Sequence, residues 1–381
     1  MSEIKVNSIK GVGATTAAIS IDNSSGTCTA NITNNLGNKN LIINGAMQVA
    51  QRGTSATNIG TTGTFVVDRF LVSNVTGTAV QTATQENDAP AGFYNSLKVT
   101  CTTADTNYST DDQSKIEYRI EGKDLQRLNF GTANAKTLGV SFYVKSNKTG
   151  NTAIGLVNSA NDRSFVHQFT IASANTWQRV SFTVAGDTSG TWLVDTNIGM
   201  RLRWGTFGTN FQTSTLDAWQ AGQKMATGSS PINFNAAIND FLQITGVQVE
   251  IGSVTDFEHR SFGQELASCH RYCYVLDMAA NRFVESGFSF SQSATVARHI
   301  IQLPVPMRTN PTFTGTATAV RFYAQDIGDN FNANTFVFSA TPVKDNCLGV
   351  SLYGATTGMT GGQGGIIQAM ADGSMTFDSE L

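Results

Sequence analysis

The feature that most constrains this chain is a run of short segments in which apolar side chains recur at every second residue. In KIEYRIEG, Ile116, Tyr118 and Ile120 fall on one face, and in VSFTV Val180, Phe182 and Val184 do the same. Period two is the signature of a strand with one buried face, because successive side chains point to opposite sides. Nine such segments lie between residues 40 and 258, among them FVVDRFLV, SLKVTCT, LGVSFYVKS, FVHQFTIA, IGMRLRW and LQITGVQVEIG. Clusters of Gly, Asn, Asp and Thr separate them, and no helix-length pattern intervenes. That combination predicts a mainly β fold, a jelly-roll β-sandwich. The segment 205–236 reads as a long loop carrying Phe207, Phe211 and Trp219.

Four segments follow from this reading. Residues 1–39 are too poor in apolar side chains to offset their own chain entropy, which suits an extended segment that docks on a partner. Residues 40–259 form the jelly roll. In residues 260–274, Phe262, Leu266, Cys269 and Cys273 fall at helical spacing, so this is a linking helix with Ser261 as its N-cap. Residues 275–381 return to strand patterning and make a second, smaller β domain. In it LPVPM holds two prolines, so it is an edge or a strand exit.

Composition narrows the function. Charged residues are 14% of the chain, and Thr, Asn, Ser and Gly replace them, giving a polar, uncharged surface suited to hydroxyl and amide contacts. The formal net charge of −3 argues against nucleic acid as a partner. No 18-residue apolar run is present, so no membrane insertion is expected. Nor is there a secretory h-region, which disfavours a bacterial surface adhesin and suits a protein that folds in a cytoplasm and leaves by lysis. The five cysteines, Cys28, Cys101, Cys269, Cys273 and Cys347, read as free thiols.

Convergent reactive groups are scarce. There are four histidines and no HExxH, GxSxG or phosphate-loop motif. Asp111, Asp112, Glu117 and Glu121 are the carboxylates a glycosidase would draw on. Glu117 and Glu121 share one strand face, with Arg119 opposite, and solvated edge residues account for them more simply. Asp105, Asn107 and Asp111 alternate like the start of an oxygen-ligand calcium loop, but the Gly at position six and the closing Glu are absent, so a turn-rich Asx loop is the simpler reading. No cofactor is expected. Asp68 reads as paired with an arginine.

Several longer runs are familiar. NLIINGAMQVAQRG (Asn40–Gly53) with FVVDRF (Phe65–Phe70) resembles the opening of a domain found in bacteriophage tail fibre and virion surface proteins. Val247–Tyr272 resembles that domain's closing strand and following helix, Ile300–Phe313 the β segment that comes next, and MSEIKVNSIK the first residues of fibre proteins of marine and cyanobacterial phages. The resemblance implies a carbohydrate-binding-module-like jelly roll on a fibre that is usually trimeric. Related modules hold a structural calcium through a Glu after the N-G-x-F opening and an Asp pair in the last strand. Here Gln48 and Thr245–Gly246 stand in those places.

The expectation is therefore a structural phage tail fibre subunit on the virion that contributes to host-surface glycan recognition by avidity and is not an enzyme. Its partners would be other copies of itself in a homotrimer, tail proteins through residues 1–39, and a host glycan. Sugars stack their C–H faces on aromatic rings, so Trp219, Trp192, Tyr94 and Tyr108 are the ligand candidates. Phe262, Leu266 and Cys269 are the candidates for the oligomer interface. A head or capsid decoration protein and a polysaccharide depolymerase are the alternatives.

Overall fold

The computed structural model describes residues 8–9, 19–21, 24, 28–30, 38–280, 289–315, 320–324, 330–344, 347–354, 361–369 and 372–381. The chain is mainly β. Its centre is a sandwich of two antiparallel sheets. One has six strands in the order Gln178–Val184, Leu138–Ser146, Phe241–Ile251, Ser96–Thr103, Val80–Glu86, Ser55–Ile59. The other has seven, in the order Trp219–Ala221, Arg163–Ile171, Gly150–Asn158, Ile198–Phe207, Gln113–Glu121, Phe70–Val75, Thr64–Phe65. This is the expected β-sandwich of jelly-roll type, with more strands than the nine that alternation marks.

The inward residues are those the alternation selects. Ile116, Tyr118 and Ile120 meet Met200, Leu202 and Trp204 on the next strand, and across the gap stand Leu138, Val140, Phe142 and Val144. Phe142 contacts Phe169 and Trp204 edge-on, at centroid distances of 5.4 and 5.6 Å. Each such side chain contributes about 1.5–3 kcal/mol by leaving water. Strand Phe241–Ile251 changes parity midway: Leu242 and Ile244 face in, then Val247 and Val249. The register against Leu138–Ser146 slips at the same point, because a bulge at Gly246 adds one residue to this strand.

The segment 205–236 is not a plain loop. It contains the short strands Gln212–Thr213, Trp219–Ala221 and Ala226–Thr227, and Trp219–Ala221 pairs with the edge of Arg163–Ile171. Trp219 therefore belongs to the seven-stranded sheet.

The helix runs Phe262–His270, shorter than 260–274, with Ser261 at its N-cap in a reciprocal capping box with Gln264. Cys273 keeps the helical spacing but starts the strand Cys273–Met278. That strand pairs with Gly373–Asp378, which also pairs with Thr312–Gly315. The remaining described strands close a six-stranded barrel: Ser289–Ser291, Val296–Gln302, Cys347–Gly354, Asn330–Lys344, Val320–Ala324 and Gly364–Ala369. LPVPM follows the end of Val296–Gln302, as a strand exit. Near the N-terminus the described pieces pair as Ser8–Ile9, Ile19–Ile21 and Cys28–Ala30.

Buried ion pairs join these parts. Arg271 donates to Glu121 at 2.9 and 2.7 Å, and the Tyr272 hydroxyl donates to the same carboxylate at 2.8 Å. Glu380 pairs with Arg69 and Arg52. Asp68 lies 3.6 Å from Arg52, the arginine partner expected of it.

Candidate functional site

Outward residues of the six-stranded sheet build an aromatic surface. Because Phe142 and Val144 point into the core, Tyr143 and Lys145 point out. The bulge at Gly246, with φ +60°, removes a side chain beneath Tyr143. A Cβ there would come within 2.8 Å of the Phe93 ring and 2.9 Å of the Tyr143 ring. The missing side chain lets the connection 87–95 lay Phe93 against Tyr143, with ring centroids 5.4 Å apart. Phe257 and His259, after the closing strand, pack on Phe93 at 4.9 and 5.1 Å. Tyr94, beside Phe93, is 69% exposed.

The strip continues along the strand. Val144 pairs with Gln178, which brings Trp177 beside Lys145. The Lys145 ammonium lies 5.9 Å from the Trp177 ring centroid and 2.7 Å from Asp88. Trp177 Nε1 donates to Asp88 at 3.1 Å. The hydrogen bond from Lys145, helped by that from Trp177, lowers the Asp88 carboxyl below its usual range. Arg179, opposite Tyr143, is exposed and donates to the Thr255 carbonyl at 3.0 Å. Half-buried rings fixed by a sheet, flanked by an exposed carboxylate, an ammonium and a guanidinium, offer the two contacts a sugar needs: a flat apolar face and planar polar groups.

The residues singled out by sequence are scattered. Tyr94 adjoins this strip. Trp192 is 8% exposed, edge-on to Phe130 at 4.9 Å, with its indole N–H on the Ser189 carbonyl. Trp219 is half-buried between Phe130, Phe165 and Trp192. The Tyr108 hydroxyl accepts from Asn235 at 2.7 Å, and burial pushes its pKa up. Trp177 begins a strand, which on sequence alone suggests core or rim packing; it lies more than 30 residues from each of Tyr143, Phe93 and Phe257, so no local spacing gathers the four.

The carboxylates do not face a common cleft. Asp111 accepts from Asn210 at 2.8 Å and Asp112 from Ser109 at 2.7 Å. Glu117 and Glu121 are 0% and 1% exposed and engage arginines, so neither is a solvated edge residue. Arg119 lies on the same face as Glu117, with its Nε 2.5 Å from that carboxylate, and not opposite. Period two places residues 117, 119 and 121 together.

Asp105 is taken up by the backbone N–H groups of Asn107 and Thr78, at 3.0 and 2.9 Å, as in an Asx turn. Gln48 offers its carbonyl to Gln85, and Thr245 donates to the Asn95 carbonyl. Among the described residues no cluster of three His, Cys, Asp or Glu could hold a metal ion. In the helix, Cys269 is buried within the subunit, Leu266 is half-buried and Phe262 is 56% exposed. A cavity of about 640 Å³ lies beside this helix, between Lys123, Arg127, Arg260 and Gln264, and has no aromatic ring in its wall.

No protein-family model and no curated protein matches the chain. Among solved structures it is similar to the enzymatically active domain of tailspike protein 4 of bacteriophage CBA120. The identity is 12% over 56% of this chain, with a TM-score of 0.31. The match spans only 22% of that tailspike chain. It is also similar to a CBM4 module, at 11% identity over 55% of this chain and 98% of that one, with a TM-score of 0.29. A further match is the C-terminal family 22 carbohydrate binding module of Clostridium thermocellum Xyn10B: 10% identity, 59% and 100% coverage, TM-score 0.28. Likeness at this level concerns the type of fold and carries no argument about activity.

Proposed function

We propose that this protein is a non-catalytic, glycan-binding surface subunit of a bacteriophage tail fibre. The aromatic strip of Trp177, Tyr143, Phe93 and Phe257 carries the reading, because half-exposed rings on a rigid sheet beside Asp88, Lys145 and Arg179 suit sugar stacking. The resemblance of Asn40–Gly53 and Val247–Tyr272 to fibre and virion surface proteins supports the location. A homotrimer would place three weak sites on one particle, and linked sites raise total affinity by ~10²–10⁴. Residues 1–39 would dock to the tail, and Phe262 would join the contact between copies.

The test is an array of bacterial surface glycans probed with the whole protein, followed by calorimetry on any glycan retained. Tyr143→Ala and Trp177→Ala should each weaken binding roughly tenfold, since an aromatic contact is worth about 1 kcal/mol or more beyond its area. Equal retention of the Tyr143→Ala variant would remove the strip as the site. A monomer in light scattering would remove the trimer, and labelling of virions at the head would move the protein from the tail.

A further inference from the structure

The outer face of the seven-stranded sheet carries a different chemistry. At its centre, strands Gln113–Glu121 and Ile198–Phe207 set Glu117 opposite Arg203 and Arg119 opposite Arg201. Lys115, on the same face, has its ammonium 3.7 Å from Glu117. Among the described residues, Glu117 and the terminal carboxyl of Leu381, which sits on Arg119, stand against four cations, which leaves two positive charges in surplus (four less two). Glu117 is fully engaged: Oε1 accepts from Arg119 Nε at 2.5 Å, and Oε2 from Arg203 Nε. The neighbouring Glu380 pairs with Arg52 and Arg69. Like charges directly opposite each other weaken a sheet; Glu117 and the Leu381 carboxyl relieve Arg119, and a further anion would relieve Arg201.

The groups respond to that surplus. Burial, opposed by Glu117 and reinforced by the three guanidiniums, lowers the Lys115 ammonium to about 8. Burial and the Arg203 charge lower Arg201 to about 10.

Donors remain free as well. Arg201 uses Nη1 alone, on the carbonyls of Asn158 and Ser159 at 2.9 and 2.8 Å. Arg119 uses Nη1 on the terminal carboxyl oxygen of Leu381, and Arg203 uses Nη1 on Asn161 and Met225. Among the described residues the Nη2 groups of all three have no acceptor; Arg119 and Arg201 are half-buried, and Arg203 lies beneath them at 4% exposure. Three adjacent guanidiniums on a rigid sheet, each with an Nη2 donor left over and two of them reached by solvent, match the oxygens of a carboxylate or sulfate.

We infer that this face is a second ligand site, in which Arg119, Arg201 and Arg203 hold the carboxylate or sulfate ester of an acidic saccharide. The saccharide assignment deepens the glycan-binding reading and rests on it, while the anion site stands on the sheet alone.

The experiment compares trigalacturonate, its methyl ester and inorganic sulfate on the whole protein, by calorimetry and by melting temperature against chloride at equal ionic strength. Trigalacturonate should bind at least tenfold more tightly than the uncharged ester. Arg201→Gln and Arg119→Gln should each cut that affinity about tenfold or more, as expected for a hydrogen bond to a charged group. Arg201→Lys should recover part of it, and Arg201→Gln should leave neutral-glycan binding at the aromatic strip intact. Sulfate should raise the melting temperature of the wild type and not of Arg201→Gln, with circular dichroism confirming that the variant folds. Equal affinity for acid and ester overturns the saccharide assignment, whatever the strip does. Sulfate stabilisation that survives both arginine variants overturns the anion site.

Discussion

The two outer faces of the sandwich are made by the same strand chemistry and end up opposite in character. Both sheets turn Val, Ile, Leu and Phe inward, and both leave every second residue free. On the six-stranded sheet that freedom places Tyr143 and Lys145 under Phe93 and beside Trp177. On the seven-stranded sheet it places Lys115, Glu117 and Arg119 against Arg201 and Arg203. The aromatic face keeps Asp88 and Arg179 at the rim, where water screens them. The cationic face buries Glu117 and Glu121 completely. Inward positions are dictated by the fold, so the outward ones are where function can vary.

If the faces differ in this way, their mutants should differ in size. Glu117→Gln should cause the largest loss, about 3–5 kcal/mol in urea unfolding, because it strands buried cations without an anion. The same residue sets an acid limit. Burial alone would raise its pKa, but Arg203, Lys115 and Arg119 outweigh that and hold it at about 2. A carboxyl lowered on folding stabilises above its unfolded value near 4.5 and loses that contribution as pH falls towards 2. Stability should decline across that window in the wild type and decline less in Glu117→Gln. An equal slope in both proteins would mean that the ion cluster contributes little.

Gly246→Val comes next. The residue sits at φ +60°, where a β-branched side chain is strained, and its Cβ would strike Phe93 and Tyr143. Strain and forced repacking together should cost about 1–3 kcal/mol. Glycan affinity at the strip should fall with it, while sulfate binding on the other face is untouched. If affinity for neutral glycans is unchanged, Phe93 and Tyr143 do not form one surface.

How legible each face is in the sequence follows from the range of the contacts that make it. Ile116, Tyr118 and Ile120 are readable because burial on one strand face is a local, periodic property. The capping box at Ser261 is equally local. Spacing alone overextends the helix, because Cys273 keeps the helical period while its backbone pairs with Asp378, over a hundred residues away. The same period two that marks the core places Arg119 beside Glu117, although a run of alternating charges suggests a solvated edge. Whether a charge is solvated depends on neighbours such as Arg203, which no local spacing reveals. Phe93, Tyr143 and Phe257 meet only because a bulge and two connections bring them together, so their joint surface has no sequence signature. Trp192 and Trp219, the most conspicuous rings in the sequence, pack on Phe130.

The smallest expected effect is the sharpest contrast with Glu117. Lys145→Met removes the 2.7 Å ion pair with Asp88, whose side chain is half exposed. Exposed pairs of this kind contribute about 0.2–1 kcal/mol, so urea unfolding should shift by no more than that. The Asp88 carboxyl, held low chiefly by the Lys145 hydrogen bond, should titrate at a higher pH in the variant, read by carbon-detected NMR. Its remaining bond from Trp177 Nε1 should keep the ring in place. A loss as large as that of Glu117→Gln would show that the rim of the aromatic face is as buried, electrostatically, as the centre of the cationic one. In that case the division between a solvated stacking surface and a desolvated anion site would have to be abandoned.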